Sequence, residues 1–246
     1  DVEESRMPTI ACVGGTPPVE PTRKHMFKTP QKTVTAVERI YQYCAKAGIS
    51  KVALLTASDS FGQDGLENLK KLAAKMGVEV VAAESFNPED VDVSVQLGKL
   101  VSAGPQAVIC WVIGPGGATV AKNFKQIGAT MPLIQCHGQP DPTYLSLAGD
   151  AAEGTLMPST KLVVADQLPD SDPQKAVVVA FAKAYEEDLK LGPVSTHSGY
   201  AWDAMQILVG AMRQAGCDDS AAIRDAIEGT KGYVGVSGVY TMGPDD

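Results

Sequence analysis

The segment KVALLTASDSFGQDG, Lys51–Gly65, carries the clearest structural signal of the sequence. It begins with an apolar run, Val52–Leu55, which is typical of a buried strand. A short polar loop follows, and a long helical pattern begins near Phe61. In parallel α/β sheets, ligands are held at the carboxyl ends of the strands. We therefore predict that Ser58–Phe61 forms one wall of a small-molecule cleft and that Gly14–Thr16 forms the opposite wall.

The same strand–helix pattern recurs through the middle of the chain. Predicted strands begin near residues 51, 78, 106 and 132, so each strand with its helix takes up 26 to 28 residues. This spacing predicts a parallel sheet that is covered by helices on both faces. After His137 we expect a loop that leads to GDAAEG, and Thr155–Ser159 is a further strand candidate. Asp166–Asp172 is polar and contains proline, and we predict that it is a linker.

At the two ends of the chain, the sequence predicts more helices than the predicted strands can pack against. A strand at Pro8–Val13 precedes a Gly-Gly-Thr turn and a Pro-rich connector, and three helices are predicted at Asp172–Lys190, Gly199–Ala215 and Ser220–Glu228. One or two strands are too few to bury these helical faces. Either the ends pack on the central domain, or strands that complete a second domain are missing.

Composition excludes several classes of protein. The formal net charge of −8 argues against sequence-independent binding of nucleic acid, which needs a basic face. No apolar run approaches the length of a membrane span, so we predict no direct membrane insertion. The five cysteines form no CxxC pair, which leaves zinc and thioredoxin-like sites without support. Cysteines inside apolar runs are usually small buried hydrophobes.

No motif predicts a catalytic or cofactor site. The glycines of WVIGPGG, residues 111–117, lack the spacing of a dinucleotide site, and no P-loop lysine follows them. The signatures HExxH and GxSxG are absent from the sequence. We therefore predict a protein without a cofactor, without a metal and without enzymatic activity.

Five stretches resemble, in family order, the leucine/isoleucine/valine-binding family of periplasmic solute-binding proteins, the receptors of ABC importers. They are PTIACVGGTPP, KVALLTASDSFGQDG, LIQCHGQPDPTYLSLAGDAAEG, GYAWDAMQILVGAMRQAG and GYVGVSGVYTMGPDD. The resemblance implies an α/β, two-lobe periplasmic binding protein type I fold with parallel sheets flanked by helices. Residues 31–159 would form the second lobe, and residues 1–30 with 160–246 would form an incomplete first lobe. It also implies that the chain is a fragment of a longer protein.

The resemblance assigns ligand-binding roles to the turn after the first strand and to the start of the helix at Phe61. Gly14 and Gly15 would offer backbone N–H groups, and Thr16 a hydroxyl, to a ligand carboxylate. The alternative for these three residues is an ordinary tight turn. Phe61 either contacts the ligand as part of the cleft wall or packs against its own sheet.

His137 is the main departure from the family. The amino-acid binders of the family have an acidic residue here, which pairs with the ligand ammonium group, so the resemblance puts a zwitterionic ligand in doubt. With Gln139, His137 would bind a neutral polar group or a second carboxylate; the alternative is a structural hydrogen-bonding role. Ile113 would lie on the cleft wall, and Gly114 would let the backbone come close. His197 either faces the cleft or is exposed to water.

The predicted function is therefore that of a non-enzymatic solute receptor. It would close two hinged lobes around a small organic acid, which is an amino acid or a branched aliphatic or aromatic carboxylate. Its partner would be an ABC permease, and it would be a monomer in the periplasm, or extracellular and lipid-anchored in a Gram-positive host. One alternative is the ligand-sensing domain of a receptor or regulator. Another is a flavodoxin-like or Rossmann-like enzyme, against which the missing phosphate loop argues.

Overall fold

The computed structural model describes residues 2–243. Within them the helices are α1 (Val2–Ser5), α2 (Thr33–Lys46), α3 (Ser60–Ala73), α4 (Ser94–Ser102), α5 (Gly116–Gln126), α6 (Pro142–Ala148), α7 (Lys175–Lys183), α8 (Thr196–Ala215) and α9 (Ser220–Glu228). The strands are β1 (Thr9–Ala11), β2 (Met26–Lys28), β3 (Lys51–Ala57), β4 (Glu79–Phe86), β5 (Ala107–Trp111), β6 (Leu133–Gln135), β7 (Tyr233–Val234) and β8 (Val239–Tyr240). The chain divides into two units: unit 1 runs up to residue 31 and resumes at residue 159, and unit 2 comprises residues 32–158.

Unit 2 contains a parallel sheet in the strand order β4-β3-β5-β6. The side chains of β3 alternate between two cores: Val52 and Leu54 pack with α2 and α3, whereas Ala53 and Leu55 pack with α4, α5 and α6. This alternation follows from the period of two residues along a strand. The predicted parallel α/β sheet with helices on both faces is confirmed.

Helix α3 begins close against the end of β3. The Asp59 side chain caps the helix by accepting a hydrogen bond from the Gly62 N–H at 2.8 Å. A Cβ atom at position 62 would lie 1.9 Å from the Ala57 carbonyl oxygen, so only glycine fits this approach. The cap and the glycine together fix the first turn of α3, which carries Phe61, at the carboxyl end of β3.

Unit 1 contains two small sheets and a helical layer. Strands β1 and β2 are parallel, with Ala11 opposite Lys28, and β7 and β8 form an antiparallel hairpin. The buried Asp203 of α8 anchors this hairpin, accepting hydrogen bonds from the Val236 N–H at 2.9 Å, the Ser237 N–H at 2.7 Å and the Tyr240 hydroxyl at 3.1 Å. Burial raises the pKa of the Asp203 carboxyl, and these donors oppose the rise.

Two expectations about regular structure were wrong. Thr155–Ser159 does not form a strand: Leu156 alone makes a bridge, to Ile134, and Pro158 offers no N–H to extend the pairing. The stretch after His137 contains the helix α6 where a loop was expected. Its start carries an ordinary signal, since Asp141 caps the Thr143 N–H at 2.8 Å and proline occupies the first helical position.

The segment from residue 160 to the start of α8 also differs in detail from the prediction. A 3-10 helix, Lys161–Gln167, extends into the first two residues of the expected linker Asp166–Asp172, and α7 begins at Lys175 rather than at Asp172. Asp172 accepts a hydrogen bond from the Gln174 N–H at 2.9 Å and pairs with Lys161 at 2.7 Å. Through these contacts, Asp172 anchors the turn that precedes α7. Beyond Lys183 the helix continues as a π-helix, Ala184–Asp188.

An apolar groove of about 910 Å³ opens on the surface of unit 1. It lies between α7, α8 and the β7 hairpin, and Phe181, Tyr185 and Trp202 form an aromatic row along it with ring centroids 5.5 and 5.6 Å apart. Met205 on the same wall is 55% exposed.

The assignment of unit 1 to an incomplete first lobe stays a prediction.

Candidate ligand-binding site

Three aromatic rings meet at the carboxyl edge of the sheet in unit 2. Phe61 follows β3, Trp111 ends β5, and His137 follows β6. The ring centroids lie 5.9 Å apart for Phe61 and Trp111, 5.8 Å for Phe61 and His137, and 5.3 Å for Trp111 and His137. We call these three residues the aromatic cluster. Its place at the ends of three parallel strands is where α/β sheets hold ligands.

Trp111 forms the buried floor of the aromatic cluster. Its side chain has no exposed surface, and its indole lies flat on α3 at Gly65, where a Cβ atom would come within 2.3 Å of the ring. The indole Nε1 is buried and has no hydrogen-bond acceptor among the described residues. Buried tryptophan N–H groups usually have a partner, so this donor is an exception to that rule.

His137 is 3% exposed and packs against both other rings, while Phe61 is half-buried. The two predicted residues are thus brought together, although 76 positions separate them in the sequence. Trp111 was not among the predicted site residues. It ends an apolar run that is indistinguishable from core in sequence, and its position on Gly65 is a tertiary contact.

Ile113 and Gly114 follow Trp111 on the same edge of the sheet. Ile113 is 42% exposed, and its side chain lies beside Gly138, the neighbour of His137. Gly114 is exposed and has a φ of +73°, a conformation that favours glycine. An exposed isoleucine beside the aromatic cluster adds apolar surface to this edge.

Gln139 holds the loop after β5. Its Nε2 donates to the Val112 carbonyl at 2.8 Å and to the Gly114 carbonyl at 3.2 Å, and its amide packs on Gly117, where a Cβ atom would lie 2.4 Å away. Both amide protons are therefore used within the protein. The geometry supports a positioning role, and direct contact of Gln139 with a ligand stays a prediction.

The turn Gly14–Thr16 lies in unit 1, after β1. Gly15 is buried with a φ of +87°, and its carbonyl accepts a hydrogen bond from the Lys28 ammonium. The Thr16 carbonyl accepts from the Val19 and Glu20 N–H groups, each at 3.1 Å. The turn is therefore held through two successive carbonyl groups. Lys28, which binds the first of them, was not among the residues predicted from the sequence.

The start of α8 lies beside the ends of β1 and β2. The Tyr200 carbonyl accepts from the Thr29 hydroxyl at 3.0 Å, and the Cys12 Sγ lies 3.9 Å from the same oxygen. His197 is exposed in the first turn of α8, with its ring 6.2 Å from that of Tyr200. Unit 1 thus brings the first turn of α8 close to the strand ends, and a ligand role for His197 stays a prediction.

The buried thiols of unit 2 are poor nucleophiles. Burial raises the pKa of Cys44 and of Cys136 to about 11, and raises that of Cys110 as well. The Cys136 thiol donates to the Val112 carbonyl at 3.1 Å. These three cysteines are therefore protonated at neutral pH and act as small apolar side chains.

Two further searches cover the described part of the chain. Over residues 2–243, no helix combines the length and the apolar character that crossing a membrane requires. In the same range, no group of three or more His, Cys, Asp and Glu side chains is placed to hold a metal ion.

The model of one family, described as periplasmic binding protein, matches residues 1–246. The chain belongs to this family. Among curated proteins it is 23% identical to a Leu/Ile/Val-binding protein homolog of Brucella melitensis over 218 residues, which cover 82% of this chain and 56% of the relative. It is also 23% identical to the leucine-, isoleucine-, valine-, threonine- and alanine-binding protein of Pseudomonas aeruginosa, over 72% of this chain and 44% of that protein. The chain therefore spans about half the length of these curated relatives.

Solved structures of periplasmic binding proteins share the fold. An extracellular ligand-binding receptor from Rhodopseudomonas palustris HaA2 is 29% identical, with a TM-score of 0.91 over 99% of this chain and 70% of that one. A leucine-binding protein from Thermotoga maritima is 22% identical, with a TM-score of 0.87 over 99% of this chain and 68% of that one. The predicted family and the type I fold are confirmed. The family consists of solute-binding proteins and is periplasmic or extracellular.

Proposed function

We propose that the protein is the solute-binding receptor of an ABC importer and that it binds a small organic acid with a branched aliphatic or aromatic body. The observation that carries this proposal is the aromatic cluster of Phe61, Trp111 and His137 at the carboxyl ends of β3, β5 and β6. Aromatic rings with an exposed apolar neighbour, Ile113, favour an apolar ligand body.

The carboxylate end of the ligand would bind at Gly14–Thr16. This turn presents backbone groups at the end of a parallel strand and lies over the Lys28 ammonium. Positive charge and backbone N–H groups favour an anion. The similarity to proteins named for leucine, isoleucine and valine supports a carboxylate ligand of this size.

His137 argues for an organic acid in place of a standard amino acid. Where the amino-acid binders of the family carry a carboxylate, this protein has an imidazole packed against Trp111 and Phe61. An imidazole gives an incoming ammonium group no negative charge to pair with. Binding would close two hinged lobes on the ligand, and an ABC permease would recognise the closed form of a monomeric receptor. The receptor would act in the periplasm, or outside a Gram-positive cell with a lipid anchor.

The test is a thermal-shift screen of the complete protein against carboxylates, amino acids and nucleotides. A ligand present at 100 times its dissociation constant stabilises the folded state by about 2.7 kcal/mol, which gives a clear shift. We expect carboxylates with an apolar body to give the largest shifts. If nucleotides alone shift the transition, the transport function is wrong and the Rossmann-like alternative is favoured. A membrane span or an output domain in the flanking gene sequence would favour the sensor alternative.

A further inference from the structure

Lys28 is a lysine buried at the carboxyl end of a strand. It ends β2, where it pairs in register with Ala11, the last residue of the parallel strand β1. Lys28 is only 5% exposed, and its ammonium group donates a hydrogen bond to the Gly15 carbonyl in the turn after β1. Lysine is almost never this deeply buried without a specific interaction.

The hydrogen bond from Lys28 sets the direction of the next N–H group. In a planar trans peptide the carbonyl and the N–H point to opposite sides. Because Lys28 holds the Gly15 carbonyl, the Thr16 N–H of the same peptide points away from the ammonium. The φ of +87° at Gly15 makes this orientation accessible, and the Thr16 carbonyl is fixed in turn by the Val19 and Glu20 N–H groups.

We propose that Lys28 is a positioning residue that makes this turn selective for carboxylates. It orients the Thr16 N–H toward the ligand carboxylate, and its charge, one peptide group behind that N–H, favours an anion over a neutral group of the same shape. This inference rests on the proposed function, since it assigns the carboxylate of the organic acid to the turn. Lys28 itself need not touch the ligand.

The experiment compares acids with their primary amides, which have the same shape and no charge. The probes are phenylacetate and phenylacetamide, and 4-methylpentanoate and 4-methylpentanamide, titrated calorimetrically into the complete protein. The variants are K28M, which removes the ammonium, and K28R, which keeps a buried cationic donor. K24M is the matched control, because Lys24 is exposed in the segment that precedes β2. K28Q keeps a donor without a charge and serves if K28M does not fold.

The wild type is expected to prefer each acid to its amide. K28M should lower that preference by a factor of about ten or more, because the Thr16 N–H loses its fixed orientation and the positive charge behind it is removed. K28Q should lower the preference as well, while K28R and K24M should keep it within about threefold. The amide proton resonance of Thr16 should shift on adding acid to the wild type and not to K28M.

Two outcomes overturn the proposal, and they are distinguishable. If K28M and K28Q bind acid and amide with the same preference as the wild type, or lose both equally, Lys28 has only a structural role and the proposed function stands. If the wild type binds none of the four probes, the proposed ligand class is wrong and the role of Lys28 is wrong with it.

Discussion

The imidazole of His137 packs against the indole of Trp111 with the ring centroids 5.3 Å apart and the rings inclined by 61°. The two residues lie at the carboxyl ends of neighbouring parallel strands. The His137 side chain is thus held by an aromatic surface. A change at either residue therefore alters both the polarity and the shape of the proposed site.

Phe61 is expected to contribute to the affinity for the ligand. Phe61→Ala should weaken binding of the best carboxylate from the screen by about tenfold to a hundredfold, since an apolar contact to the ligand body is lost. Phe61→Leu should retain much of the affinity. Tyr43→Ala is the control, because Tyr43 is 41% exposed on α2 and lies outside the aromatic cluster. Calorimetric titration measures all three, and equal affinity of F61A and Y43A would remove Phe61 from the site.

His137→Glu is expected to change the class of ligand. A carboxylate at this position would pair with the ammonium group of an amino acid, so leucine, isoleucine or valine should raise the thermal transition of H137E and not of the wild type. His137→Gln, which is polar and uncharged, controls for the loss of the imidazole. A variant H137E that folds and still ignores these amino acids would show that position 137 does not select the ligand.

Gly65→Ala tests whether the close contact between Gly65 and the Trp111 indole contributes to stability and ligand binding. The added methyl group would lie 2.3 Å from the indole, so Trp111 must move, and we expect a loss of about 1 to 3 kcal/mol in the free energy of unfolding together with weaker ligand binding. Gly98→Ala is the matched control, because a Cβ atom there meets nothing within 4 Å on α4. G98A should be neutral or up to about 1 kcal/mol more stable. Urea unfolding measures the free energy of unfolding of both variants, and equal stability of G65A and G98A would contradict a tight contact between Gly65 and Trp111.

Asp203→Asn is expected to release the hairpin of β7 and β8. The carboxylate accepts from two backbone N–H groups and the Tyr240 hydroxyl, and an amide in its place turns one acceptor into a donor. We expect a loss of about 2 to 4 kcal/mol in the free energy of unfolding. Asp218→Asn, at an exposed position, should change it by less than about 0.5 kcal/mol. Urea unfolding monitored by fluorescence measures both variants, and equal stability would show that the hairpin does not depend on Asp203.

The sequence predicted the sheet of unit 2 because its signal is local and repeated. Each strand is an apolar run, each helix has one apolar face, and the repeat of 26 to 28 residues implies parallel order. That order alone places Phe61 and His137 at one edge of the sheet. The helix α6 was missed although Asp141 and Pro142 mark its start, because a helix of only 7 residues is too short to show a clear apolar periodicity.

Contacts made by side chains at a distance in sequence could not be predicted in the same way. Trp111 ends an apolar run and looks like core until Gly65 brings α3 against it. Lys28 looks like an exposed charge until β1 and β2 pair and bury it. Gln139 looks like a ligand group, yet its donors bond the Val112 and Gly114 carbonyls. Burial and hydrogen-bond use depend on partners that only the folded chain supplies.

The most direct test of the central claim is a calorimetric titration of the complete protein with the carboxylate that gives the largest thermal shift, followed by mass spectrometry of the recovered ligand. We predict saturable binding at one site, a loss of affinity in F61A, and a ligand whose mass is unchanged. Binding of nucleotides alone, or conversion of the carboxylate to another compound, would contradict a solute receptor.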